Sequence, residues 1–412
     1  SRKDLNIFVV GDPDQSIYSW RGANIQNILQ FEKDFPGAKV IRLEQNYRST
    51  ETILEAANAL ISNNISRYEK NLWSNLGEGD KISLFVAYTE REEAAFVARK
   101  IEKLIDDGVD PSEIVIFYRT NAQSRSFEDQ LISRMITYRI VGGLSFYQRR
   151  EVKDILAFLK VMNQPNDFVA FSRTINLPKR GIGEVTLDKI LKSAKLEGLS
   201  LLSYVDALVN GAPLKNITKI SAKGMEGLSD YVSNLSKLKQ ELNEIPFPDF
   251  IQRVIEQTHY LSYLKEEEPD TYRDRKENLD ELVAKAAEYS EINDPLSAFL
   301  EELTLKSDED TKGDFSSAIT LMTLHNSKGL EFREAFMVGM EEDLFPHANS
   351  KSDPNQIEEE RRLCYVGMTR AKVHLYLSCC QLRFLFGSEK FMRPSRFLKE
   401  IPSEFIKKIG FA

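Results

Sequence analysis

Apolar residues fall along this chain in two textures. Short continuous runs at residues 7–10, 39–43, 82–88, 114–118, 138–141, 319–324, 336–340 and 373–379 predict strands, several of them apolar enough to be buried on both faces. Between the third and fourth of these runs, residues 90–107 repeat apolar positions at helical spacing and stop at Gly108 and Pro111. Alternation of this kind predicts a parallel sheet with crossover helices, hence an α/β fold. Shorter helical patterns use Ile25, Ile28 and Leu29, ended by Pro36-Gly37, and Ile53, Leu54, Ala57, Leu60 and Ile61, with Ser49 or Thr50 as cap. A further helix is expected over 358–371, with Glu358, Glu359 and Glu360 in its first turn and basic residues later, as the helix dipole prefers.

From about Phe146 to Asp310 the strand pattern disappears. Apolar residues there recur at helical spacing, as in Val152, Ile155, Leu156 and Leu159 and in Ile251, Val254 and Ile255, so this stretch reads as a helical insertion. Its acidic runs, Glu266-Glu267-Glu268 and Ser307-Asp308-Glu309-Asp310, read as solvated faces or loops.

Size and charge narrow the picture. The 412 residues leave room for two or three domains. A net charge of -8 argues against a protein that coats nucleic acid by bulk electrostatics, so any such contact must be local and shape-dependent. Cys364, Cys379 and Cys380 form neither a metal spacing nor an even disulfide framework, which suits a reducing cytosol, and Cys379-Cys380 is expected to end a buried strand. There is no signal peptide and no apolar run long enough to span a bilayer. Ser1 opens directly onto a strand without an initiator Met, which reads as a fragment of something longer. No Gly-x-x-x-x-Gly-Lys-Ser/Thr occurs, and Asp280-Glu281 lies in a charged helical stretch, so the usual phosphate loop and its magnesium-binding acid are missing.

Several strand ends and helix boundaries carry chemistry. After 7–10 comes Gly-Asp-Pro-Asp turn chemistry, then Gln15, an amide able to donate to a phosphate, and Tyr18, Trp20 and Arg21, which suit base stacking and phosphate contact or, equally, core and rim packing. Arg48, beside Tyr47 and just before a helix, suits an anion or a neighbouring acid. Arg119 and Asn121 follow a strand in what is either a polar loop or a contact surface. Lys179-Arg180-Gly181-Ile182-Gly183 before a helix is a tight turn or a phosphate cradle. His325 ends a strand without a second His or Cys at ligand spacing, so a metal is not expected. Arg370 falls near a packed helix face and calls for an anion, structural or bound. Phe386 either packs or stacks on a base.

The strings themselves go further. Val-Gly-Asp-x-x-Gln-Ser-Ile-Tyr-x-Trp-Arg-Gly-Ala over 10–23 resembles the third motif of superfamily 1 DNA helicases of the PcrA/UvrD/Rep family. Gln-Asn-Tyr-Arg-Ser over 45–49 is similar to the fourth, Thr-Leu-His-x-x-Lys-Gly-Leu-Glu-Phe over 323–332 to the fifth, and the string over 358–371 to the sixth. The resemblance implies a RecA-like, P-loop NTPase-type parallel sheet with a large all-helical inserted subdomain. Residues 1–42 would end a first RecA-like domain, 43–146 and 312–412 would form the second, and 147–311 the insertion. It implies an ATP-dependent 3′–5′ DNA helicase of the cytoplasm that uses ATP with Mg2+, whose metal ligands belong to a missing N-terminal region, so that this chain alone is inactive. Gln15, Arg48 and Arg370 would act on the terminal phosphate, Arg370 as arginine finger, with Tyr47 on the adenine and Glu331 on the ribose. Tyr18, Trp20, Arg21, Arg119, Asn121, His325 and Phe386 would meet single-stranded DNA, and Lys179, Gly181 and Gly183 the duplex junction. The missing N-terminal part and repair or replication proteins would be further partners. The rival reading is a non-catalytic helicase-like DNA-binding subunit, which would have no need of Gln15, Arg48, Glu331 and Arg370.

Overall fold

The computed structural model describes residues 7–309, 317–385 and 388–410. The chain forms two compact units, one made of Ser1–Gly143, Asp314–Arg383 and Lys390–Ala412, the other of Leu144–Gly313 and Phe384–Glu389.

The first unit is built on one sheet. Its strands are β1 (Ile82–Thr89), β2 (Ile114–Tyr118), β3 (Tyr138–Val141), β4 (Ile319–Thr323), β5 (Phe332–Met337), β6 (Ala371–Leu385), β7 (Ser388–Phe391) and β8 (Ile406–Ile409). The order is β3-β4-β2-β5-β6-β1-β8, with β7 pairing on β6, and every pair along the main path is parallel. Central β2 is buried at all five positions. Its Val115 and Phe117 enter a core shared with helices α1 (Glu51–Ile61) and α4 (Pro354–Met368). Its Ile114, Ile116 and Tyr118 enter the opposite core, against α2 (Glu90–Asp106) and α3 (Ser124–Ser133). Helices on both faces are why these strands read as unbroken apolar runs instead of alternating ones.

The second unit is helical from Arg150–Asn163 to Pro295–Glu309. It closes on its own core, which includes Phe158, Phe171, Tyr231, Phe250 and Tyr260. The expected α/β architecture, a parallel sheet with many helices and a helical insertion, is therefore present.

Several elements depart from the hydrophobic pattern. Residues 7–10 form no strand, and Phe8 and Val10 are 88% and 82% exposed; among the described residues no strand pairs with them. Residues 39–43 behave alike, with Ile41 and Leu43 exposed. The pattern at Ile25, Ile28 and Leu29 splits into two four-residue helices, Gln26–Leu29 and Phe31–Asp34, with no buried residue. Thr50 occupies the cap position of α1, but the free N–H groups of Glu51 and Thr52 are met by the carbonyls of Gly77 and Glu78. Ser49 instead donates its hydroxyl to Ala371 O. Strand β4 ends at Thr323, where Leu324–Ser327 tightens into a 3-10 turn. Helix α4 starts at Pro354, capped by Asp353, so Glu358, Glu359 and Glu360 are not in its first turn.

The remaining differences come from buried charge, which an apolar pattern cannot show. The strand expected at 336–340 begins at Phe332, because Glu334 is fully buried on His374 and Tyr376 of the neighbouring strand. Strand β6 continues past Cys379-Cys380 to Leu385 and carries Arg383 inward. The Arg383 guanidinium reaches Glu93 at 2.6 Å and Glu341 at 2.8 Å, all three buried. Ser378 Oγ, Gly339 N and Cys380 N donate to the same two carboxylates. Glu93, Glu341 and Cys380 could together surround a cation, and Arg383 is that cation here. All three cysteines are free and buried; burial pushes Cys379 up to about 12 and also raises Cys364 and Cys380.

Two stability measurements follow from this chemistry. Arg383→Met leaves two carboxylates buried without their cation and should lower the unfolding free energy in urea by about 3–5 kcal/mol; a loss below about 1 kcal/mol would show that the triad is dispensable. His374 lies between Glu334 at 2.8 Å and the exposed Asp80 at 2.9 Å, and its hydrogen bond to Glu334, opposed by burial, raises its pKa. A raised histidine pKa stabilises the fold fully below the unfolded value of about 6.5, and that contribution fades as pH climbs through the folded value. The stability difference between wild type and His374→Gln should therefore shrink from pH 6 toward alkaline pH, and a difference that grows would reverse the assignment.

Candidate functional site

Arg370 follows the C-cap of α4 and immediately precedes β6, so it sits where helix turns into strand at the N-terminal edge of the sheet. Its side chain is buried, and its guanidinium donates to Val366 O at 3.0 Å, Leu330 O at 3.2 Å and Thr369 Oγ1 at 3.3 Å. Among the described residues no carboxylate lies within ion-pair distance of it. Burial, and then the nearby charge of Arg48, push its pKa down to about 10, so it remains a cation at neutral pH.

Arg48 and Glu331 complete this edge. Arg48 Nε meets Glu331 Oε2 at 2.7 Å, and its Nη1 donates to Thr369 O at 3.2 Å. The Arg48 hydrogen bond holds the Glu331 carboxyl below its ordinary range, and Lys372 lies 3.4 Å from the same group. Three residues 283 and 39 positions apart thus share one small patch, with two guanidiniums and a single carboxylate between them. Neighbouring Tyr47 is 79% exposed, its hydroxyl donating to Gln45 Oε1.

Along α4 runs the segment 12–21. Asp12 caps the 3-10 turn Pro13–Gln15, as the Gly-Asp-Pro-Asp string suggested, and accepts from the amide of Gln15 at 2.8 Å. Fully buried Asp14 takes Arg67 bidentately at 3.0 and 3.2 Å, and Lys70 meets Asp12 at 2.7 Å. Tyr18 Oη donates to His325 O at 2.7 Å, with Arg21 and Lys328 cations 5.7 and 5.9 Å from its ring centre. Lys328 Nζ donates to Gln15 O at 3.2 Å. The side chain of Trp20, and Phe386 entirely, lie outside the described residues.

The C-terminal edge of the sheet gathers the other group. Arg119 and Asn121 follow β2, Gly142 and Gly143 follow β3, and His325 and Asn326 follow β4, and these three strands are neighbours. Gly142 has φ of +79° and a Cβ there would come within 2.1 Å of Asn326, so the close approach needs glycine. Arg119 places Nε and Nη2 on Glu360, as close as 2.6 Å, so only its Nη1 edge is uncommitted to that pair. Burial and Arg119 push His325 down to about 4.

In the helical unit, Gly183 caps Glu184–Glu197 and Gly181 has φ of +74°, both exposed. Lys179, 74% exposed, pairs with Glu267 at 2.8 Å. Arg180 is turned inward instead, to Asp230 at 3.2 Å, the carbonyls of Ile175 and Leu177, and the Tyr231 ring.

Sequence reading put Glu331 after the strand at 319–324 and Arg370 on a packed helix face; in the structure both immediately precede strands, β5 and β6. Sequence reading also passed over Arg67, Lys70, Glu359 and Glu360 as ligands of other side chains. Charge on a helix looks solvated in a string, and only the burial of Glu358 and Glu360 distinguishes them. No apolar signal marks them.

Comparison with known proteins identifies the family. Residues 41–382 match the UvrD-like helicase C-terminal domain, and residues 1–36 the UvrD/REP helicase N-terminal domain. The chain is 43% identical over 414 aligned residues to the ATP-dependent DNA helicase PcrA of Bacillus subtilis, covering 98% of this chain and 55% of that protein. It is 42% identical over 408 residues to DNA helicase II of Escherichia coli, covering 98% and 56%. The chain thus spans about half the length of the curated relatives it matches.

Of the four histidines, His325 should keep its neutral-ring proton shifts from pH 8 down to about pH 5, because its folded value lies at about 4. An NMR titration midpoint near 6.5 for His325 would show that the ring is solvated and not held in this edge.

Proposed function

The chain belongs to the UvrD-like helicase family, and from that premise we propose that it carries one wall of the nucleotide cleft and much of the DNA track of an ATP-dependent helicase. The observation that carries this reading is Arg370, a buried cation at a helix-to-strand turn whose hydrogen bonds, among the described residues, go to carbonyl and hydroxyl oxygens. A guanidinium in that setting is prepared for an anion that arrives and leaves.

Arg370 would stabilise charge on the terminal phosphate of ATP, joined by Arg48. Glu331, released from Arg48, would accept from the ribose while Tyr47 lies on the base. Gln15 would sense the phosphate from the segment that also holds Tyr18. Magnesium, when bound with ATP, supplies charge neutralisation on the phosphate oxygens. Its ligands and the phosphate loop would come from sequence beyond these 412 residues, since no such loop is among them. Tyr18, Arg21, Asn121, His325 and the Nη1 edge of Arg119 would grip single-stranded DNA, with Trp20 and Phe386 stacking on bases at roughly 1–3 kcal/mol each. Lys179, Gly181 and Gly183 would hold the duplex ahead. ATP binding and hydrolysis would close and reopen the cleft, moving the protein 3′ to 5′ in a repair or replication setting in the cytoplasm.

In a protein that joins these residues to a phosphate loop, single-stranded DNA should accelerate ATP hydrolysis, and Arg370→Ala should lower kcat on the order of a thousandfold while leaving oligonucleotide affinity in place. An Arg370→Ala rate equal to wild type would remove the finger assignment and favour the non-catalytic reading.

A further inference from the structure

Successive positions on an α-helix point about 100° apart, so neighbouring side chains reach different surroundings. On α4 the three consecutive glutamates do this with three separate segments. Glu358 Oε1 accepts from Ile65 N at 2.7 Å and its Oε2 from Arg362 at 3.0 Å. Glu360 holds Arg119 and accepts from His347 N at 3.0 Å. Between them, Glu359 Oε1 accepts from Ser19 N at 3.0 Å, and its Oε2 accepts from the Ser19 hydroxyl.

Ser19 opens the 3-10 turn Ser19–Arg21, directly after Tyr18. Both donors of one residue therefore end on one carboxylate, across 340 positions of sequence. From Glu359 the helix continues nine residues, about 14 Å, to Met368, and Arg370 follows its C-cap at the opposite edge of the sheet. We infer that Glu359 is a positioning residue that fixes the DNA-facing segment 18–21 to the helix that leads into Arg370. This rests on the helicase reading for the DNA role of that segment. Glu359 touches neither nucleotide nor DNA; it acts through the backbone of Ser19.

The sign of one measurement separates this from simple charge. Removing an acid near a DNA surface relieves repulsion and by itself tightens binding. A lost anchor loosens it. Three variants of the 412-residue chain, Glu359→Ala, Glu359→Gln and Ser19→Ala, would be compared for affinity to a fluorescent oligothymidylate by anisotropy. Amide hydrogen exchange of residues 16–23 would be followed in parallel, with 51–61 as an internal reference.

Glu359→Ala should weaken oligonucleotide binding about five-fold and speed exchange of 16–23 alone, the size expected for losing charge-assisted hydrogen bonds at a half-exposed site. Glu359→Gln, whose carbonyl still accepts from Ser19 N, should bind at least as well as wild type. Ser19→Ala should fall between. Binding by Glu359→Ala equal to or tighter than wild type overturns the inference, as does a Glu359→Gln as weak as Glu359→Ala. A wild-type chain that does not bind the oligonucleotide overturns the DNA role proposed for segment 18–21 instead, and the exchange of 16–23 then judges the anchor alone.

Discussion

A guanidinium buried without a carboxylate is the constraint around which the first unit is arranged. Arg370 can stay charged there because it donates to oxygens of Val366, Thr369 and Leu330, two of them where α4 ends and the third in the loop before β5. The free carbonyls of a helix C-terminus make that position favourable for a cation. Burying the arginine thus depends on the length of α4 and on the loop before β5, and any shift in either would change its solvation. Arg48 is ion-paired to Glu331, whose negative charge also favours the cation of Arg370.

The two groups of functional side chains occupy opposite edges of one parallel sheet. Glu331 and Arg370 precede β5 and β6, whereas Arg119 and His325 follow β2 and β4. Two elements cross from edge to edge: the stretch from His325 to Glu331, and α4 itself. The first offers Lys328 to the Gln15 carbonyl, and the second offers its glutamates to Ser19 and Arg119. Coupling between the edges then needs no special pathway beyond a rigid helix and a short, well-bonded loop, both packed against the sheet.

Much of the first unit could be read directly from the string. Strands β2 and β3 lie where their apolar runs end, and α2 differs by one residue at its C-terminus; β2, buried at every position, has no polar residue to confuse its pattern, and α2 shows one apolar stripe at helical spacing. Residues 7–10 carry the same pattern without pairing, since a strand is defined by its neighbours as much as by its own residues. Buried charge was illegible. Glu334, Glu341 and Arg383 look like solvent-facing residues until their partners from distant segments are seen. The same holds at the candidate site: the residue types at Arg48, Glu331 and Arg370 were plain, but not that Glu331 pairs with Arg48 and Lys372, nor that Glu360 occupies Arg119. Partner choice is a tertiary property, and local spacing carries no record of it.

The three native thiols have a practical consequence. All are enclosed and all are pushed away from the thiolate form, Cys379 to about 12. Maleimide chemistry acts on exposed thiolate, so the folded chain offers it almost no native target. A single cysteine introduced at a surface position could therefore carry a dye in an otherwise unaltered background, and distances within this chain become open to optical measurement.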